Sequence, residues 1–210
     1  DNVFSTERST GLRSGSAEVH TVEHILAAIV GCQIDNVIIE VDNIEIPILD
    51  GSAKEFTRLI TDAGLETQNA ARKFFEIKKK ISFKDEETGT IITAEPAKEY
   101  AVEVNIDYKS NTLGIQKAFM SSINEFNEHF SSSRTFCFLH ELEVLLENNL
   151  IKGGDVNNAI VIVEENISSA KLNKLKKAFN KQDIQVTKGG ILNNLTLRYE
   201  NEPAKHKLLD

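Results

Sequence analysis

Thr21-Val-Glu-His-Ile-Leu-Ala-Ala-Ile-Val-Gly31 reads as a helix with a chemical head and an apolar body. Val22, Ile25, Leu26 and Ile29 recur at helical spacing, Thr21 stands where an N-cap is wanted, and Gly31 where a left-handed C-terminal residue is wanted. Glu23 and His24 then share the first turn. Two readings are open for them. Glu23 is an acid favoured at a helix N-terminus beside a packed, satisfied imidazole; or His24 is a metal ligand and Glu23 a general base. The eleven-residue stretch taken alone favours the first.

Outward from this helix, residues 1–20 are polar and predict a loop or short strands. Ile34 to Val41 (Ile-Asp-Asn-Val-Ile-Ile-Glu-Val) predicts a strand, and Ile44 to Leu49 a second one interrupted by Pro47. After the Asp50-Gly51 turn, Ser52-Ala-Lys-Glu55 has the form of a capping box. It opens a helix with Phe56, Leu59 and Ile60 on one face and Gly64 behind it. Residues 65–72 are polar and mark a linker. Beyond them the period becomes that of strands: Phe74 to Phe83, Thr90 to Ala94 and Tyr100 to Tyr108 predict an antiparallel meander. Ile123 to Phe130 and Leu139 to Leu146 predict helices, Asn158 to Val163 a buried strand, and Lys152 to Asp155 a tight turn. Ser168 to Phe179 predicts a basic amphipathic helix, followed by short strands around 184–186 and 195–199. Asn201 caps a final helix with Pro203 in its first turn. Strands and helices grouped in this way indicate an α+β fold in two layers.

Composition narrows the function. A hydrophobic content of 40% and a charged content of 27% are those of an ordinary globular protein. A net charge of -8 argues against a nucleic-acid surface while leaving room for a local basic pocket. No apolar run approaches membrane-spanning length. The two cysteines, Cys32 and Cys137, make no disulfide framework, so a reducing compartment is the default. The chain begins at Asp1 and stops at Asp210 inside a helical pattern, which suggests a fragment of a longer protein.

Two further places carry chemistry. His206 and Asp210, four residues apart on the last helix, share one face and could reach one ion, with His24 as a third ligand; an exposed ion pair is the competing reading. Lys207 beside them reads as a surface lysine. Ser133-Arg-Thr-Phe-Cys-Phe138 offers a hydroxyl and aromatic rings at a loop-to-strand transition, or else a turn that feeds a core.

The segments at 21–28, 34–41, 45–53 (Glu-Ile-Pro-Ile-Leu-Asp-Gly-Ser-Ala), 133–136 (Ser-Arg-Thr-Phe) and 202–210 (Glu-Pro-Ala-Lys-His-Lys-Leu-Leu-Asp) resemble, in order, those of the zinc-dependent UDP-3-O-acyl-N-acetylglucosamine deacetylases. That family carries out the committed step of lipid A synthesis. The stretch within 139–163 is most similar to the branch fused to a 3-hydroxyacyl-[acyl-carrier-protein] dehydratase. The resemblance implies two similar α+β domains, residues 1–68 and 69–210, with the active site between them and an inserted acyl-tunnel segment near 139–163. It implies zinc held by His24, His206 and Asp210, with Glu23 as general base. Thr135 would stabilise the oxyanion and Lys207 add positive charge, while Phe136 and Phe138 would lie beside the substrate and its acyl passage. It further implies a UDP-linked acylated amino-sugar substrate, a cytoplasmic location with at most transient contact with the inner membrane surface, and no nucleic acid partner. A fused dehydratase in the parent is a further implication.

The family's C-terminal histidine, a proton donor, would lie beyond Asp210, and the first strands of the first domain would precede Asp1. By this reading the 210-residue piece is itself inactive. The alternative from a different class is a non-catalytic module that binds an acyl chain or nucleotide sugar on the same scaffold.

Overall fold

Strands β1 (Val3–Ser5), β2 (Gly11–Ser14) and β3 (Ala17–Val19) form an antiparallel sheet that leads into α1 (Glu23–Gly31). The structure is a computed structural model and describes residues 2–6, 9–142, 157–186, 190–192 and 195–210. The buried face of α1 is His24, Ala27, Ala28 and Gly31, an i, i+3, i+4, i+7 stripe of small residues with one imidazole at its head. Of the larger residues expected on this face, Leu26 is exposed and Ile25 and Ile29 are only half-buried, while Val22 is buried just ahead of the helix. The reason is a ring. Phe126 lies so close that a Cβ on Gly31 would come within 1.9 Å of its Cδ1. Gly31 is thus required for close approach, and the left-handed residue after the helix is Gln33, with φ of 56°.

Residues 34–41 do not form a strand. Val37, Ile38, Ile39 and Val41 are exposed, Ile38 at 88%, and the described residues offer them no ladder partner. β-branched composition suits a strand, but a strand exists only where a neighbouring edge completes its hydrogen bonds. The second expected strand reduces to a bridge: His20 N–H donates to the Ile44 carbonyl at 2.8 Å, and Ile46 N–H donates to the His20 carbonyl at 3.0 Å. Helix α2 (Lys54–Ala63) follows, with Gly64 closing it and Phe56 and Ile60 turned to the core; Leu59 is exposed. The capping box does not form. The N-cap is Ala53, while the Ser52 hydroxyl donates to Asp50 at 2.7 Å and Glu55 pairs with Arg58.

The expected three-stranded meander is two separate hairpins. β4 (Ile81–Lys84) pairs with β5 (Ile91–Ala94), and β6 (Val102–Asp107) pairs with β7 (Ile115–Met120). Phe74 and Phe75 fall outside β4 and are exposed, Phe75 at 90%. The second hairpin alternates properly, with Ile106, Ala118 and Met120 turned inward. A 3-10 turn (Ile123–Glu125) runs into α3 (Phe126–His129), and β8 (Phe136–Phe138) pairs in parallel with β9 (Ile160–Ile162). Residues 139–142 are helical; the rest of the Leu139–Leu146 helix and the 152–155 turn lie outside the described residues. Helix α4 (Ser169–Ala178) is capped by Ser168, whose hydroxyl accepts from the Lys171 N–H. Of the two late strands expected, 184–186 reduces to a single bridge, Val186 to Leu192, and 195–199 is irregular; a further bridge joins Ile162 to Ile191.

Helix α5 (Glu202–Leu209) closes the fold over the β6–β7 hairpin. Asn201 precedes it but makes no side-chain cap; its amide donates to the Lys117 carbonyl at 2.6 Å instead. The main core therefore joins both parts of the chain. Ala27, Ala28 and Ala53 meet Ile106, Met120, Phe126, Phe130, Ala204, Leu208 and Leu209. Mixed helices and strands agree with the α+β class expected from the sequence. Two smaller clusters stand around β8 and β9, one including Val161, Leu175, Ile184 and Leu192, the other Phe138, Ile160 and Ile162. The close seat of α1 and α5 in one core brings their polar ends together.

Candidate metal centre

The head of α1 is fixed by tertiary bonds. Val22 stands at the N-cap with helical dihedrals and no side-chain cap, which corrects the assignment of Thr21. Thr21 adopts φ of 59° and its hydroxyl donates to Glu45 Oε1 at 2.9 Å. The Glu23 carboxylate accepts the Thr10 N–H at 2.9 Å, and the Val22 N–H donates to the Thr10 carbonyl at 3.3 Å. Thr10, just ahead of β2, and the residue-45 bridge thus hold the first turn from two sides. His24, on the buried face, cannot turn away into solvent.

Helix α5 supplies the other side. Nδ1 of His206 lies 2.9 Å from the Ser133 carbonyl, so Nδ1 carries the proton and Nε2 keeps its lone pair. That Nε2 is 3.5 Å from Asp210 Oδ1, one turn further along. The His24 and His206 rings meet edge to face with centroids 5.2 Å apart. One ligand atom from each of His24, His206 and Asp210 lies within 4.8 Å of the others. Two donors bonded to one tetrahedral zinc at about 2.0–2.1 Å would stand roughly 3.3 Å apart, close to the His206–Asp210 separation. His24 Nδ1 is also buried without a hydrogen-bond partner among the described residues, a state polar atoms in interiors rarely keep. Two imidazoles, one of them with an unsatisfied nitrogen, and a carboxylate fit a divalent transition metal with a position left open.

The electrostatics point the same way. Burial lowers the His24 pKa, and the neighbouring His206 lowers it further; Glu23, Asp210 and Asp50 oppose this without reversing it. Burial likewise lowers that of His206 against the pull of Asp210 and of the Ser133 carbonyl. Both rings are therefore neutral near pH 7, the form that ligates. Lys207 moves up. Burial works against its charge, but Asp210, whose Oδ2 accepts from Nζ at 3.2 Å, together with Tyr108 and Glu23 outweighs it. A firmly cationic lysine thus borders the Asp210 carboxylate.

The hydroxyl-bearing segment lies beside this group. Thr135 is fixed through its backbone, its N–H donating to the Gly51 carbonyl at 2.7 Å and its carbonyl accepting from Ile160 at 2.8 Å. A Cβ on Gly51, which has φ of 79°, would fall 1.9 Å from the Asn158 carbonyl oxygen, so this approach also needs glycine. Phe136 and Phe138 turn their rings to Tyr108, at 5.6 Å and 5.7 Å, and Phe138 stacks on His140 at 5.6 Å. Tyr108 belongs to this aromatic wall and was not singled out in the sequence. Its one signal was a tyrosine ending an alternating strand.

Arg134 and Glu202 also went unassigned in the sequence. They form an ion pair in which Glu202 is 0% exposed and Arg134 6%. An acid at the start of a helix is ordinary, and only the fold shows where its carboxylate goes.

Compared with known proteins, residues 1–182 match the family model described as LpxC, UDP-3-O-acyl N-acetylglycosamine deacetylase. Over 210 residues, the whole of it, the chain is 42% identical to the bifunctional enzyme LpxC/FabZ of Porphyromonas gingivalis, of which it covers 46%. It is 40% identical to the enzyme of that name from Bacteroides thetaiotaomicron, again covering 46%. To the UDP-3-O-acyl-N-acetylglucosamine deacetylase of Teredinibacter turnerae it is 38% identical, covering 62% of that protein. The chain thus spans about half the length of the bifunctional relatives it matches.

Proposed function

Because this chain belongs to the UDP-3-O-acyl N-acetylglycosamine deacetylase family, we propose that its protein hydrolyses the N-acetyl group of a UDP-linked 3-O-(3-hydroxyacyl)-N-acetylglucosamine in lipid A synthesis. The carrying observation is the convergence of His24, His206 and Asp210, whose ligand atoms lie within 4.8 Å of one another in a chain of that family. These three residues would hold zinc. Bound there, the metal supplies a water of lowered pKa and a polarised amide carbonyl.

The protein's own groups do the rest. Glu23, next to the ligand His24 and held by the Thr10 amide, takes the proton of the attacking water. Water oxygen bonds to the acetyl carbon, and the C–N bond then breaks to give acetate and a free amine, which takes up a proton. The Thr135 hydroxyl donates to the oxyanion, and the Lys207 ammonium adds positive charge beside it. Phe136 and Phe138, in the wall with Tyr108, border the path of the acyl chain.

In the same reading the chain comprises two α+β units, 1–68 and 69–210, with the site at their junction. The acyl-tunnel segment of this reading is 139–163, of which residues 143–156 lie outside those described. The enzyme works in the cytoplasm, in keeping with a sequence whose two cysteines make no disulfide framework; among the described residues no helix is long and apolar enough to cross a membrane. A fused 3-hydroxyacyl-ACP dehydratase in the same polypeptide is part of the proposal, supported by the names of the bifunctional relatives.

The test is metal content and acetate release in the full-length protein. One zinc per chain is expected, lost in His24→Ala and in His206→Ala together with acetate release. Stoichiometric zinc surviving both substitutions refutes the ligand set.

A further inference from the structure

Glu202 is the first residue of α5, one turn before His206 and two before Asp210, and it is wholly buried. Both its carboxylate oxygens are used. Oε1 accepts from Arg134 N–H at 3.0 Å and Arg134 Nε at 2.8 Å; Oε2 accepts from Arg134 Nη2 at 3.0 Å and Arg198 N–H at 2.6 Å. Arg134 spends a further bond from Nη2 on the Thr196 carbonyl at 2.9 Å. The residue before it, Ser133, accepts from His206. The 133–134 segment therefore grips α5 at two points, Glu202 and His206, one turn apart on the same face. Two such points fix both the rise of the helix and its rotation, and with them the directions of the His206 and Asp210 side chains.

We propose that the Arg134–Glu202 pair is the positioning device of the metal centre, setting the register of α5 so that the Ser133 carbonyl selects the ligating tautomer of His206. The proposal rests on the metal-site reading above and concerns residues outside the proposed ligand set. The chemistry explains why the pair is charged. Apolar packing is non-directional and lets a helix slide or turn. A guanidinium–carboxylate fork fixes an angle as well as a distance. A buried ion pair is a weak source of net stability, and its best-attested use is to set register. Arg198 extends the device: Nη1 donates to the Ser132 carbonyl at 2.7 Å and Nη2 to Asp50 Oδ2 at 2.8 Å. The turn at 50–51, whose Gly51 carbonyl holds Thr135, is so tied to the same carboxylate.

The experiment uses cobalt(II) as the probe on the full-length protein, reading affinity and the visible ligand-field spectrum. The variants are Arg134→Met with Glu202→Met, Arg134→Lys alone, and His206→Ala as control. Replacing both charges leaves no unpaired ion, so the double variant is expected to fold. It should bind cobalt 10- to 100-fold more weakly, the usual loss when the partners behind a ligand are removed, with a shifted spectrum. Catalytic turnover should fall more than KM rises. Arg134→Lys keeps the charge without the fork and should weaken cobalt binding by a smaller factor. A folded double variant with wild-type affinity and spectrum, where His206→Ala abolishes binding, overturns the positioning role alone. Wild-type binding in His206→Ala overturns the metal site, and the proposal with it. If the double variant does not fold, Arg134→Lys decides: weakened cobalt binding supports the role, and unchanged binding and spectrum overturn it.

Discussion

Replacing Gly31 with alanine should destabilise the protein, although alanine is the better helix former. The added methyl would lie 1.9 Å from Phe126 Cδ1, 2.4 Å from Cε1 and 2.6 Å from Cγ, three atoms of one ring face. Ordinary carbon contacts need about 3.5–4.0 Å, so ring and helix must part by nearly 2 Å. Phe126 is 3% exposed and packed among core residues, leaving it little room. Overpacking of this kind costs about 1–3 kcal/mol, and a collision with an immobile ring belongs at the upper end. Against roughly 3 kcal/mol stands about 1 kcal/mol gained from helix propensity. A net loss of about 2 kcal/mol follows, read as a lower urea midpoint at unchanged slope. Gly31→Ala combined with Phe126→Leu should recover much of this, since the smaller side chain can yield to the methyl; the coupling would be about 1–2 kcal/mol. His24 shares the stripe with Gly31 two turns away, so the single variant should also bind zinc more weakly. A Gly31→Ala protein at least as stable as the parent would refute the packing argument.

Three further outcomes test the chemistry. Glu23→Gln should retain zinc and lose about 10²–10⁴ in turnover, as expected for removing a general base, and loss of the metal would assign Glu23 to the ligand set instead. Thr135→Val should lower turnover by about 10²–10³ with little change in KM, measured by acetate release; an equal rise in KM would mean ground-state binding. Because burial lowers both histidine pKa values, the folded metal-free protein resists protonation below the ordinary 6.5, while the unfolded chain takes up protons there. Stability should thus be full above pH 6.5 and decline as pH falls from 6.5 towards the depressed folded values, a slope that His24→Ala and His206→Ala should each reduce. Zinc affinity should hold through pH 6.5 and weaken only below it; weakening that begins well above 6.5 would contradict neutral, buried ligands.

The sequence was legible where local chemistry decides the structure. Helices α1, α2, α4 and α5 follow helical spacing, and Gly64 and Ser168 end and begin them as their backbones allow. Alternation found β6, because one of its faces is buried and the other is not. It failed where the deciding partner is remote in sequence. Ile34 to Val41 carries strand composition with no described edge to bond, and β7 stands in a stretch whose pattern only β6 reveals. Thr21 looked like a cap, yet Glu45 claims its hydroxyl.

The same division runs through the site. His206 and Asp210 are four apart on one helix, a relation any helix imposes, so their pairing was readable as geometry. His24 joins them only because Ala27, Ala28 and Gly31 are small enough to let α1 settle against Phe126 in the core shared with α5. Its partnership was carried by the order of motifs and had no local signal. Arg134 and Glu202, 68 residues apart, had neither: an arginine in a loop and an acid in a first helical turn are each unremarkable until the fold buries them together. A residue that binds a metal announces its chemistry by type, whereas a residue that orients the ligand does so only by position. Register devices of this kind are therefore to be sought among buried charges on the helix that carries the proposed ligands, bonded to the segments that orient those ligands, and the Glu202 carboxylate, shared between Arg134 and Arg198, meets that description.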